Sequence, residues 1–408
     1  MKKVELLAPA GNMECLETAL RFGADAVYLA GKSFGLRAFA GNFSMEALQE
    51  ALAKAHEQGK RIYVTVNALL YNEEIPAVEA YLQALKEIGV DAVIISDPGI
   101  LPLCKKARLE IHISTQMSTM NYASALFWYE QGASRIVMAR EASLAEISYI
   151  HAHTPEALEL EAFVHGAMCV AHSGRCLLSS VMTGRSGNRG ACAQPCRWEY
   201  TIHEAGYPEE YYPIMEDSRG TYVLNSRDLM MIAHVPALIE SGIASFKIEG
   251  RMKSVYYVAS VVSAYRHAID AYYAGEKTPE GLIEELSGTA TRGFTTGFYF
   301  DKGVEATDSV RAPVHRDYVF CGVVKQERNE AGLLRIEQRN KFVVGDTLRV
   351  LSPTSFTEEF VVETIMDEKM NPQESAPHPQ QLIYINCPCD LAPGDMLRVK
   401  REKGEENG

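Results

Sequence analysis

One joint recurs along this chain: an amphipathic stretch ends at a glycine, and an apolar run begins at once. It occurs in FGADAVYLA at Gly23, QGKRIYVTVNA at Gly59, IGVDAVIISD at Gly89, QGASRIVMAR at Gly132 and SGIASFKIEG at Gly242. A glycine just past a helix end takes the left-handed conformation without a Cβ penalty. The Val/Ile/Ala-rich runs after it read as strands buried on both faces. Between them lie helical patterns such as SMEALQEALAKAHEQG, opened by the capping candidate Ser44. Strand-then-helix alternation predicts a parallel sheet. Eight strand starts are expected, near Val4, Ala26, Ile62, Ala92, Glu110, Arg135, Leu160 and Ala244. Eight units in about 275 residues fit a (β/α)8 TIM-type barrel. An open doubly wound sheet is the alternative. APAGNMECLETAL after the first strand lacks the glycine spacing of a dinucleotide site.

The texture changes near residue 307. Helical patterns stop and short alternating strands follow: DYVFCGVV, GLLRIEQRN, DTLRVLSP, EEFVVETIM, QLIYINC and DMLRVKRE. The phrase GDxLRV occurs at Gly345 and again at Gly394. These features predict a C-terminal small β-barrel. The expected domains are residues 1–305, with a cysteine-rich insert at about 165–224, then 310–402 and a disordered tail 403–408.

Four of the nine cysteines fall within 28 residues, spaced C-x6-C-x15-C-x3-C at Cys169, Cys176, Cys192 and Cys196. In the barrel reading Cys169 leaves the C-terminal end of strand seven, the face where such folds build active sites. Four thiolates suit an iron–sulfur cluster or zinc. The wide first spacing leans towards a cluster, and buried small hydrophobes are the bland alternative. Between His165 and Trp198 stand Arg175, Arg185, Arg189 and Arg197, with no Asp or Glu, in a chain of net charge −13. This basic island could hold a small anion or a nucleic-acid backbone, or merely offset thiolate charge.

Other polar groups cluster at predicted strand ends: Asn67, Asp97, Gln116, Arg140, Glu141, His165, Lys247, Glu249 and Arg251. Asn67, Gln116, Lys247 and Arg251, with Arg175, Arg189 and Arg197, are the substrate-binding candidates. His165 and Glu249 are the catalytic ones. KIEGRMK after strand eight suits an anion site. Protease motifs of the H-E-x-x-H and G-x-S-x-G types are missing. Glu5 breaks the first apolar run, which is too short for a signal peptide, and no stretch reaches membrane-span length. A cytoplasmic protein is expected, whose clustered thiols serve a metal rather than disulfides.

The stretch Glu161-x-Phe163-x-x-Gly166-Ala167-Met168-Cys169-x4-Gly174-x-Cys176-x-Leu178-Ser179 resembles the signature of the collagenase-like peptidase family, peptidase family U-32. LLAPAGN, GADAVYLAGKSFGLRA and FKIEGRMKS resemble that family too. The resemblance covers nearly the whole chain. It implies either of two activities. One is proteolysis of collagen-like chains. The other is oxygen-independent hydroxylation of tRNA, ribosomal RNA or a ubiquinone precursor on a 4Fe–4S cluster.

GACAQPCRWEY looks most like the tRNA branch. That branch implies 5-hydroxyuridine at the wobble position, with prephenate as the hydroxyl source. Cys169, Cys176, Cys192 and Cys196 occupy positions similar to the family's cluster ligands. Met230 and Met231 stand where some relatives supply a ligand, which favours Cys196 as the fourth. A tRNA partner, a small anionic co-substrate and a homologous partner subunit are the implied contacts. From Thr307 onward, 13 Lys and Arg face 17 Asp and Glu, so RNA binding there needs a directed face.

Overall fold

The computed structural model describes residues 3–36, 41–169, 171–198, 216–217, 220–221, 227–289, 293–300 and 318–400. Eight parallel strands close into a barrel: β1 (Glu5–Pro9), β2 (Ala26–Leu29), β3 (Arg61–Val66), β4 (Ala92–Ile95), β5 (Glu110–Ile113), β6 (Arg135–Val137), β7 (Glu159–Ala167) and β8 (Ser245–Ile248). Closure is made by β8. Its Ser245 stands opposite Glu5 of β1 on one side and Glu161 of β7 on the other. The expected starts agree with these strands to within one residue, and the open-sheet alternative is excluded.

The glycine joints explain this legibility. Gly23, Gly59, Gly89, Gly132 and Gly242 all adopt positive φ, between 67° and 102°. Each ends a helix and turns the chain into the next strand. Ser44 Oγ accepts the Ala47 N–H at 3.2 Å and caps the helix Met45–Glu57 as expected. β2 and β4 are buried along their whole length, as strands covered on both faces must be.

The regularity breaks at β7. Its pairing with β8 shifts between Lys247 and Ile248, so that Lys247 faces Phe163 and Ile248 faces His165. Val164 is the extra residue of a bulge, a feature that re-aims side chains at barrel rims. Beyond it, Gly166 pairs with Leu229 of an antiparallel strand, Asp228–Met230. The cysteine insert joins these two.

The C-terminal part is an eight-stranded antiparallel sheet. It contains β9 (Tyr318–Gln326), β10 (Leu334–Gln338), β11 (Thr347–Leu351), β12 (Glu359–Val361), β13 (Ile365–Met366), β14 (Leu382–Ile385) and β15 (Met396–Lys400), ordered β12-β11-β15-β9-β10-β14-β13 and then Pro372–Gln373. Its end strands do not pair with each other, so it is a half-barrel. The two GDxLRV repeats are neighbours in it: Leu348 faces Val399 and Val350 faces Leu397. Their apolar members share one core with Cys321, Ile336 and Phe342.

The chain divides into two compact units. One holds residues 1–13, 25–252 and 294–311; the other holds 14–24, 253–293 and 312–408. No described helix is long and apolar enough to cross a membrane.

Candidate active site

A cavity of about 150 Å³ opens at the C-terminal ends of the barrel strands. Cys169, Cys176, Cys192 and Cys196 all border it, with Asn67, Gln116, Lys247, Glu249 and Arg251 from the strand ends. Nine sequence candidates therefore share one space. All nine cysteines of the chain carry free thiols.

The insert folds against the barrel through a small set of polar ties. Glu141, just past β6, accepts the Ser173 N–H and hydroxyl, each at 2.6 Å. This fixes the turn between Cys169 and Cys176. Asn188 accepts the Cys176 N–H at 3.1 Å and donates to its carbonyl at 3.2 Å. Ser179 Oγ donates to the Arg185 carbonyl at 2.6 Å and accepts the Ala193 N–H at 3.0 Å. Two backbone amides donate to cysteine sulfur: Leu178 N–H to Cys176 at 3.3 Å and Gln194 N–H to Cys192 at 3.4 Å. Among the described residues, no three His, Cys, Asp or Glu side chains close around a single ion position.

The floor is charged, which the apolar strand pattern hid. Lys247 donates to Glu161 at 2.6 Å and stands 4.4 Å from the centre of the Tyr28 ring. Glu161 is fully buried and also meets Arg135 at 3.2 Å. Arg135 in turn binds Glu5 and Glu159, both at 2.6 Å. Burial pushes the Glu161 carboxyl up, but Lys247 and Arg135 outweigh it and hold it below the usual range. Burial raises the Tyr28 phenol well above its ordinary value, so it stays neutral. The visible signal for this floor was E-x-E at Glu159 and Glu161, acids at the two-residue period that turns them to one face.

At the rim, Arg140 lies 4.0 Å from the Phe163 ring centre and 3.6 Å from Glu249. Arg251 donates to the Leu36 carbonyl. Its own carbonyl oxygen would lie 2.1 Å from a Cβ at Gly11, so the glycine of LLAPAGN admits this close approach. Asn67 and Ser114 both donate to Gln116 Oε1, at 3.0 and 3.2 Å, and so orient that amide. The lining thus holds three cations, Arg140, Lys247 and Arg251, against one carboxylate, Glu249.

The arginine island is distributed differently from its sequence pattern. Arg189 is paired with Glu74 at 2.9 Å, a carboxylate remote in sequence, and is not in the lining. Arg175 is exposed beside Met117, and Arg185 donates to the Ala191 carbonyl at 3.1 Å. The Arg197 side chain lies outside the described residues. His165 is buried against Phe294 below the rim and does not line the cavity.

The profile of Peptidase family U32 matches residues 11–308, and that of its C-terminal domain matches 316–398. The chain belongs to peptidase family U32. Within it, the chain is 39% identical to tRNA hydroxylation protein P1 of Bacillus subtilis, over 97% of this chain and 95% of that one. It is 35% identical to tRNA hydroxylation protein P of Escherichia coli, over 99% and 98%. It is also 31% identical to a collagenase of Porphyromonas gingivalis, over 98% and 99%. The segment 161–179 runs from within β7 through the first two cysteines and supplies part of the cavity lining, from Phe163 to Ser179.

Proposed function

We propose that this protein is an RNA-hydroxylating enzyme, and specifically an oxygen-independent hydroxylase that forms 5-hydroxyuridine at the tRNA wobble position. The observation that carries the reading is the gathering of four free thiols and three cations around one cavity at the barrel mouth. Similarity along nearly the full chain to two tRNA hydroxylation proteins supports it.

In this reading Cys169, Cys176, Cys192 and Cys196 hold a 4Fe–4S cluster. The residues fit it: the thiols share one space, and amides already point at two sulfurs. Such a cluster supplies one-electron redox capacity, which zinc lacks. The protein's own groups bind and orient. Arg140 and Arg251 offer planar forks for the carboxylates of prephenate. Lys247, ion-paired with Glu161, adds a point charge to the same lining. The Asn67–Gln116 pair gives directional contacts, and Glu249 keeps Arg140 in place.

The test is anaerobic purification with iron and sulfide analysis, followed by nucleoside profiling of tRNA from a deletion strain. Iron should be bound and lost on any Cys→Ala change among the four. Wobble 5-hydroxyuridine should vanish with the gene. Stoichiometric zinc, unchanged tRNA and cleavage of a collagen-like peptide by pure protein would establish the peptidase reading instead, to which the Porphyromonas relative points.

A further inference from the structure

We infer that the exposed face of the cysteine insert is a docking platform for a single-stranded RNA loop, with Tyr71 as the ring on which a base stacks. The inference rests on the RNA-hydroxylase reading for the identity of the partner and deepens it by assigning a surface.

Apolar side chains are presented to solvent beside the cavity. Leu177 is 72% exposed and Val181, one helical turn on, is 80% exposed. Met182 and Tyr71 follow at 44% and 58%. A chain of contacts ties the Tyr71 loop to the insert at the residue before Leu177. Asn188, which grips the Cys176 backbone, also accepts the Leu69 N–H at 3.2 Å through its carbonyl. Arg189 reaches the Leu69 carbonyl at 2.6 Å and takes both Glu74 oxygens, at 3.0 and 2.9 Å. Its guanidinium then lies 4.0 Å from the Tyr71 ring centre. One side of the ring is thus backed by a pinned cation, while much of the side chain remains in water.

Charge selects the occupant. Between His165 and Trp198 no Asp or Glu occurs in a chain of net charge −13; Arg189 is neutralised by Glu74, which leaves Arg175 and Arg185 as the exposed described cations of the insert. Arg175 contacts Met117 and Arg185 the Ala191 carbonyl, and both stay exposed on the insert. An apolar protein partner is indifferent to that sign, whereas a phosphate backbone requires it. Apolar side chains and an arginine-backed ring suit unpaired bases, which a duplex keeps stacked inside. Continuity points the same way. Cys176, Leu178 and Gly190 border the cavity, so a base leaving the loop stack has the cavity beside it.

The experiment measures binding of the anaerobic holoprotein to a short fluorescent RNA hairpin with uridine in its loop. The same stem closed by a non-nucleotide linker is the control. The looped hairpin should bind more tightly. Tyr71→Ala should weaken it by roughly 5- to 150-fold, the range for losing one stacked base, while Tyr71→Phe stays within about twofold. Arg185→Ala should lower the salt slope by about 0.7, one phosphate contact of a single strand. Because Tyr71 and Arg185 are exposed, unchanged circular dichroism is expected for each variant. Equal binding of the linker-closed stem, or wild-type affinity in Tyr71→Ala, overturns the platform even if tRNA hydroxylation is normal. Loop-dependent, Tyr71-dependent binding by a protein whose deletion leaves tRNA unmodified upholds the platform and rejects the hydroxylase reading alone.

Discussion

Glu161, fully buried and outside the cavity lining, sits between Lys247 and Arg135, and Arg135 also holds Glu5 and Glu159. The rim cations act differently, because Arg140 and Arg251 carry forks that a lysine cannot reproduce. On the proposed reading, Arg140→Lys or Arg251→Lys keeps the charge and loses a bidentate contact. A charge-assisted bond contributes about 1.5–3 kcal/mol, so use of the hydroxyl donor should fall roughly 10- to 150-fold. Iron content should be unchanged, and wobble 5-hydroxyuridine is the readout. Normal levels in both variants would show that the rim cations only balance the thiolates.

His112, fully buried under Tyr63, sets a pH dependence at this same scale. Burial lowers its imidazole below the ordinary value, against the opposing pull of its bond to Glu110. The unfolded chain therefore takes a proton that the folded one refuses, and stability falls as pH drops below about 6.5. Glu110 is held at about 2, first by the His112 hydrogen bond, and Glu161 is also depressed. Their stabilisation is present above about 4.3 and is lost as pH falls through the folded values. His112→Asn should flatten the decline between about pH 6.5 and 4.5 in urea midpoints. An unchanged slope would remove His112 from this role.

At the scale of elements, the helix-to-strand joint is the unit that builds the barrel, and its glycines are not equivalent. A Cβ at Gly59, φ +67°, meets nothing within 4 Å. A Cβ at Gly242, φ +87°, would lie 2.2 Å from the His151 ring. Gly59→Ala should cost about 1 kcal/mol from backbone strain alone. Gly242→Ala adds a clash that only movement of His151 relieves, so its urea midpoint should be clearly lower. Equal midpoints would mean that His151 yields freely. The insert is the contrasting element. Among its described residues, the shape depends on Glu141, Asn188 and Ser179 contacts that follow no periodicity.

For the whole molecule, the compact units do not follow the sequence texture. The unit that contains the half-barrel also takes in residues 14–24 and 253–293. Within it, Arg21 binds Asp395 at 2.6 Å, and Tyr256 stacks on Phe320 at 5.3 Å and 9°. Glu285 and Arg398, both almost fully buried, form an ion pair. A chain cut after residue 311 would leave Tyr256 and Glu285 without these partners. Breaking a buried pair by losing one side costs about 3–5 kcal/mol. The truncated protein should aggregate or melt well below the full chain in a thermal scan, and an equally stable fragment would contradict this unit.

Sequence by itself determined the eight strands, their parallel order and the face on which the cysteines stand. Those properties follow from local rules: a glycine for positive φ, a period of two or 3.6, a strand end that points one way. The four cysteines and the strand-end residues Asn67, Gln116, Lys247, Glu249 and Arg251 were legible for the same reason, since a barrel brings all C-terminal strand ends to one rim. The tertiary structure decided which charges meet. Arg189 read as an unopposed cation because its partner, Glu74, lies 115 positions earlier in the chain. Glu5 and Arg135 read as parts of apolar strands, yet barrel closure brings them together at 2.6 Å from strands β1 and β6, which do not pair with each other. Pairing across a closed sheet depends on register and curvature, and neither is written in any short stretch of residues.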